Sequence, residues 1–140
     1  MGGSESCRGP LVVVRTCPLC RRLADREAMD RNDLAAALAD AYPLNPGHTL
    51  IVPMRHEADY FALSPDEQAA LWELARIVRE RLDRESHPDA YTLGVNVGRD
   101  AGQTVFHVHL HVIPRFRGDV PDPRGGVRWV VPERARYWER

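Results

Sequence analysis

The sequence contains no lysine: all nineteen basic residues are arginines. A P-loop lysine and a Schiff-base lysine are thereby excluded. Neither sign of charge is in excess, with a formal net charge of −1 and a pI near 6.6. General nucleic-acid binders carry a basic surplus, so no nucleic-acid partner is expected. Long apolar runs are missing too. Leu11-Val12-Val13-Val14 is too short for a signal-peptide core and lacks a basic leader, and no run reaches membrane-helix length. Three cysteines, two of them in Cys17-Pro18-Leu19-Cys20, do not make a disulfide framework. The expectation is a cytoplasmic protein with no membrane partner. Its 140 residues fit one domain.

The chain divides by composition. Residues 1–10 are rich in Gly, Ser and Pro and are expected to be a disordered leader in which Cys7 has no role. Residues 11–116 carry the patterned segments of a domain, and residues 117–140 form a Pro/Gly-rich arm that packs on the domain or on a dimer partner. Leu34 to Ala39 reads as helix on propensity, or as half of a hairpin turning at Arg31–Asp33. Thr49-Leu50-Ile51-Val52 is a buried strand closed by Pro53. Ser64-Pro65-Asp66-Glu67 is a helix start: Ser64 caps, Pro65 takes the first position, and Glu67 closes a capping box. Leu71, Leu74, Ala75, Val78 and Leu82 behind it make one apolar stripe. His87 at that helix's end is a favourable C-terminal charge or nothing. Tyr91 to Val97 alternates as a strand, with Gly98 to Gly102 turning it into an antiparallel hairpin. Val127 to Val131 reads as a last short strand, and Tyr137 and Trp138 need something to pack on.

The most informative stretch is residues 103–115. Phe106, Val108, Leu110 and Val112 alternate with His107, His109 and His111, as on a strand with a core face and an imidazole face. Pro114, with no N–H to donate, is expected to end the pairing. Three histidines among six in the chain make a chance polar face improbable. Two chemistries compete for the row: a metal held by all three rings, or one imidazole attacking a phosphorus or acyl centre while its neighbours fix its tautomer. Asn96, Gly98, Gly102, Gln103 and Thr104 favour the second. Such a turn supplies N–H, amide and hydroxyl groups for phosphate oxygens, which a metal triad does not require.

The run Gln103-Thr104-Val105-Phe106-His107-Val108-His109-Leu110-His111-Val112-Ile113 resembles the signature of the histidine triad family. Asp40 to Pro53, with Pro46-Gly47-His48, resembles that family's other characteristic stretch; together the matches cover about residues 17 to 116. The resemblance implies an α+β fold, an antiparallel sheet with one main helix, in which residues 27–39 form the hairpin. It implies that His109 is the nucleophile on an α-phosphorus, with a covalent nucleotidyl-imidazole released by water. His111 would orient His109, and His48 would support the network. Asn96, Gln103 and Thr104 would contact phosphate, and Asp40 the ribose hydroxyls. The substrates implied are purine nucleotides: dinucleoside polyphosphates such as diadenosine tetraphosphate, or nucleoside phosphoramidates. A homodimer through the main helix and an edge strand is implied as well.

A lone CxxC reads equally as a redox pair or two buried thiols. By similarity to family members with an N-terminal CxxC, Cys17, Cys20, His56 and His107 would hold a structural Zn²⁺; without that similarity His56 is an exposed turn histidine. A different class of function, a nucleotide-binding module that senses purine nucleotides without turnover, shares all these residues except the need for a nucleophile.

Overall fold

The structure is a computed structural model that describes residues 13–140. The expectations for residues 1–10 and Cys7 lie outside the described residues. Chain order gives α1 (Pro18–Ala24), β1 (Asp30–Arg31), β2 (Ala35–Ala39), β3 (Thr49–Pro53), α2 (Pro65–Glu85), β4 (Ala90–Val95), β5 (Leu110–Arg115) and α3 (Pro132–Ala135). The five strands form one antiparallel sheet in the order β1-β2-β3-β5-β4. The fold is α+β, as the resemblance implies.

The helical propensity of Leu34–Ala39 yields to tertiary structure. Asn32 turns the chain: its Oδ1 accepts from the N–H groups of Leu34 and Ala35, and its Nδ2 donates to the Ala70 carbonyl on α2. β2 then pairs with β3 along its whole length. Its small side chains suit a strand covered on both faces. Ala35 and Ala37 pack with Ile51, Val108, Leu110 and Val112 under the α2 stripe. Ala36 and Leu38 pack with Leu50 and Val52 under Leu19, Cys20 and Leu23 of α1.

α2 starts as its sequence requires. Ser64 Oγ accepts from Glu67 N–H, and Glu67 accepts from Ser64 N–H. Arg55 then clamps Glu67 through two bonds of 3.0 and 2.9 Å, tying the helix start to the segment that carries His56. His87 follows the helix with φ +49° and its ring exposed.

Four expectations need correction. The histidine stretch is not strand from residue 103; ladder pairing begins at Leu110, and residues 103–109 approach it outside any strand, with bends at 105–107. Phe106 accordingly escapes the core and is 42% exposed. The β4–β5 connection spans residues 96–109 rather than a tight Gly98–Gly102 turn, which is a local 3₁₀ loop inside it. Pro114 does not end the strand. β3 pairs with β5 only as far as Val112, so the missing N–H of Pro114 costs no ladder bond on that side, and β5 continues against β4 to Arg115. Finally, Val127–Val131 is not a strand. Gly126–Val130 is a 3₁₀ helix that lies beside β4 without joining the sheet.

Within the arm, the tail aromatics find arginines. The Arg124 guanidinium lies 4.4 Å from the Trp138 ring centre and that of Arg128 4.8 Å from Tyr137. Among the described residues no helix is long and apolar enough to cross a membrane.

Candidate active site and metal centre

β5 sorts its side chains by pleat. Leu110 and Val112 face α2, and His111 faces the opposite side with Leu50 and Gly94 as cross-strand neighbours. His107 and His109 reach that same side from the approach segment, which Val108 anchors by donating to the Glu57 carbonyl at 2.7 Å. The ring centres of His109 and His111 are 5.2 Å apart.

Three of these histidines, His48, His107 and His109, have a tautomer fixed by a backbone group, and that of His111 follows from His48. A carbonyl only accepts, so His109 Nδ1–H donates to the His107 carbonyl at 2.8 Å, leaving the Nε2 lone pair free. The His107 ring donates Nε2–H to the Pro53 carbonyl at 2.9 Å, leaving Nδ1 as its lone-pair atom. The Leu44 N–H donates to His48 Nδ1 at 3.1 Å, so the proton of that ring sits on Nε2. That proton points at His111 Nδ1, 3.0 Å away, and at Asp40 Oδ2, 3.3 Å away. His111 therefore carries its own proton on Nε2. Burial, then the neighbouring His109 and His48 rings, push the His111 pKa down to about 4, against a smaller upward pull from Asp40. Burial likewise lowers His48. Both are neutral at physiological pH.

Among the described residues, two groups of donors could hold a cation. In the first, Cys17, Cys20, His56 and His107 converge. Cys17 Sγ is 3.5 Å and Cys20 Sγ 3.6 Å from His107 Nδ1, and His56 Nδ1 is 3.3 Å from both Cys20 Sγ and His107 Nδ1. Tetrahedral bonds to sulfur and nitrogen at zinc's usual lengths space such donors about 3.3–3.8 Å apart. The tautomer also fits, because Pro53 holds the His107 proton on the far nitrogen. Cys17 caps α1 and accepts from the Cys20 N–H, which brings both sulfurs to one point. Burial raises the Cys20 thiol pKa, an effect a bound cation would reverse. The second group, Asp40, His48 and His111, fits poorly. Its central nitrogen, His48 Nε2, bears the proton that Leu44 fixes there. This is a hydrogen-bonded relay.

The phosphate-side residues fall into two kinds. Asn96 is half-buried and Thr104 exposed, and neither side chain is engaged among the described residues. Gln103 is placed otherwise than the resemblance implies. Its buried carboxamide accepts from Gly98 N–H and donates to the Ala58 and Val105 carbonyls, so here it braces the loop. Gly98 and Gly102, at φ +97° and +98°, let that loop close. Asp40 stands at the end of β2, where Oδ1 accepts from Tyr42 N–H and Oδ2 faces the relay. Sequence reading missed the three backbone groups, which no side chain announces. It also missed the Arg55–Glu67 clamp, for which the arginine beside His56 was the available signal.

The family model described as HIT domain matches residues 22–118. The asymmetrical bis(5'-nucleosyl)-tetraphosphatase of Schizosaccharomyces pombe is 38% identical over 89 residues, 64% of this chain and 49% of that protein. The bifunctional bis(5'-adenosyl)-triphosphatase/adenylylsulfatase of Arabidopsis thaliana is 36% identical over 98 residues, 70% of this chain and 54% of that protein. The chain thus spans about half the length of these curated relatives. Among solved structures, a zinc-bound histidine triad family protein from Mycobacterium smegmatis is similar at a TM-score of 0.69 and 26% identity, covering 89% of this chain and 96% of that one.

Proposed function

The chain belongs to the histidine triad family, and from that premise we propose that it is a hydrolase or transferase acting at the α-phosphate of nucleotides through a covalent bond to His109. The observation that carries this reading is the His109 hydrogen bond to the His107 carbonyl. It holds the ring with Nε2 bare beside an electrically neutral donor, His111 Nε2–H.

The chemistry follows from those protons. The Nε2 lone pair of His109 attacks the α-phosphorus; the P–N bond forms as the bond to the leaving group breaks, and the leaving group keeps the electron pair. Water then attacks the same phosphorus and gives up a proton to solvent, the P–N electrons return to Nε2, and a nucleoside monophosphate departs. A polyphosphate leaving group is a weak base and needs no strong acid. His111, its proton held on Nε2 by the His48–Leu44 relay, donates to a phosphoryl oxygen beside the nucleophile. The side chains of Asn96 and Thr104 supply further donors beside the loop that Gln103 braces. Asp40 takes the ribose hydroxyls with its remaining lone pairs. The names of the two curated relatives support dinucleoside polyphosphates as substrates.

Cys17, Cys20, His56 and His107 hold Zn²⁺ in this reading. When bound, it cross-links the N-terminal helix to the catalytic segment; a four-donor set with no open position is structural. A homodimer that covers the unpaired edge of β4, and a cytoplasmic setting that keeps the thiols reduced, complete the reading.

The test is His109→Ala assayed on diadenosine tetraphosphate and adenosine phosphoramidate. Turnover is lost by roughly a thousandfold or more, as when a covalent nucleophile is removed, while AMP still binds. Activity equal to the parent protein would remove His109 from its role, and inactivity of the parent would leave a binding module.

A further inference from the structure

A groove of about 510 Å³ lies beside the histidine row, lined by Leu44, Thr92, Ile113, Val120, Pro123 and Trp129 among others. Nothing in the chemistry above uses it. Its size is that of a small-molecule site, and its walls are mainly apolar. We propose that this groove is the subsite for the second nucleoside of a dinucleoside polyphosphate, with the base against Trp129. The proposal rests on the reading of His109 as the nucleophile at the α-phosphorus of the first nucleotide.

Position is the first argument. Ile113 shares the pleat face of His111 and lies two residues beyond it, which puts the near wall about 7 Å from His111 and about 13 Å along the chain from His109. A bridge of several phosphates spans that interval, so one ligand can occupy both places. A ligand with a single nucleoside cannot.

The walls are the second argument. Trp129 is held in place: its Nε1–H donates to the Arg124 carbonyl at 2.8 Å, and the Arg136 guanidinium stands 5.3 Å from its ring centre. Such a fixed indole suits a nucleobase, which stacks whatever its identity. The two acids at the groove do not repel a ligand anion, because Asp119 is engaged by Arg115 and Asp122 by Arg124. Asn45 supplies a polar hook. Its Nδ2 donates to the Pro114 carbonyl and to Asp119, both at 2.9 Å, which fixes the amide's orientation. Its Oδ1 has no partner among the described residues and is an acceptor for an exocyclic amine, as on adenine or cytosine.

The outer wall is the third. Val120, Pro123 and Trp129 belong to the arm beyond residue 118, outside the segment matched by the family model. The arm therefore closes a groove that the matched segment alone would leave open on that side.

The experiment compares kcat/KM on diadenosine tetraphosphate with kcat/KM on adenosine phosphoramidate, for the parent protein, for Val120→Trp, which fills the groove from a part-exposed position, and for Trp129→Ala. Expected is a drop of about tenfold or more in the ratio of the first to the second, the size of one lost base–aromatic stack. A ratio unchanged in both variants, whether both rates fall together or neither does, overturns the subsite. Calorimetry in a His109→Ala background gives a second reading without turnover: diadenosine tetraphosphate binds tighter than AMP by a similar factor, and Val120→Trp removes the difference. Equal affinities overturn the proposal. Failure of the parent protein to turn over either substrate would instead strike the His109 reading, and calorimetry would still decide the groove.

Discussion

The His107 carbonyl accepts from His109 Nδ1 at 2.8 Å, while the His107 ring places Nδ1 3.5 Å from the sulfur of Cys17. One residue therefore joins the four-donor cluster to the His109 ring, the proposed nucleophile, by its backbone on one side and its side chain on the other. Losing the metal should then reach the chemistry without touching any group that meets the substrate. Cys20→Ser is expected to lose bound zinc, measured by metal analysis of the purified protein. It should lower stability by about 2–4 kcal/mol, the linkage expected of a ligand at roughly 100 to 1,000 times its dissociation constant. The fall in kcat should be smaller than that of His109→Ala.

In the proposed mechanism His48 acts on His111 rather than on substrate. His48→Ala leaves Nδ1 of His111 without its donor, at a cost of about 1–3 kcal/mol, roughly 5- to 150-fold in kcat if felt wholly in the transition state. Zinc content should not change, which separates this loss from that of Cys20→Ser.

Acid should unfold this protein through its buried rings. The folded-state pKa of His111 is pushed to about 4 from its usual 6.5. The unfolded chain therefore takes up the proton first, so stability is full above about pH 6.5 and falls as the pH drops towards about 4, by at most ~1.4 kcal/mol per pH unit for this ring. Proton competition at the metal donors acts in the same direction. Urea unfolding at pH 7.5 and pH 5 measures the slope. His111→Gln should flatten it, and a slope equal to that of the parent would rule out the ring as a contributor.

Removing the α2 cap by Ser64→Ala should cost about 1 kcal/mol. Glu67→Ala should cost about 2 kcal/mol, since it also frees Arg55 and hence the segment holding His56. Thermal melts rank the two, and metal affinity should fall only in the second.

Asp119 fastens the arm. It accepts from Arg115, Asn45 and the Phe116 N–H. Asp119→Ala should speed proteolytic cleavage within residues 117–126 while the far-ultraviolet spectrum of the domain persists.

Much of this was legible in the sequence because it depends on local chemistry. Ser64, Pro65 and Glu67 determine a helix start with groups only three residues apart, and alternation alone gives the faces of His111, Leu110 and Val112. What was not legible depends on distant chain. Leu34–Ala39 favours helix by itself and becomes a strand only because α1 and α2 cover both its faces. Phe106 looked inward because alternation was extended beyond the residues that a ladder holds in register. Cys17 and Cys20 are consistent with several chemistries until His56 and His107, 36 and 87 residues from Cys20, arrive beside them. Gln103 belongs to a recognisable motif, yet which way its carboxamide turns is decided by Gly98 and Ala58.

The proton positions on His48, His107 and His109 are dictated by an amide and two peptide oxygens, from Leu44, Pro53 and His107. Replacing the side chain of Leu44 or Pro53 with alanine would leave those backbone partners in place, so a conventional scan would not report on them. Drift at either position leaves the proton positions alone so long as the main chain keeps its course. Only an edit to the main chain itself, such as proline at 44 or an ester in place of the amide, would expose how much the reaction owes to them.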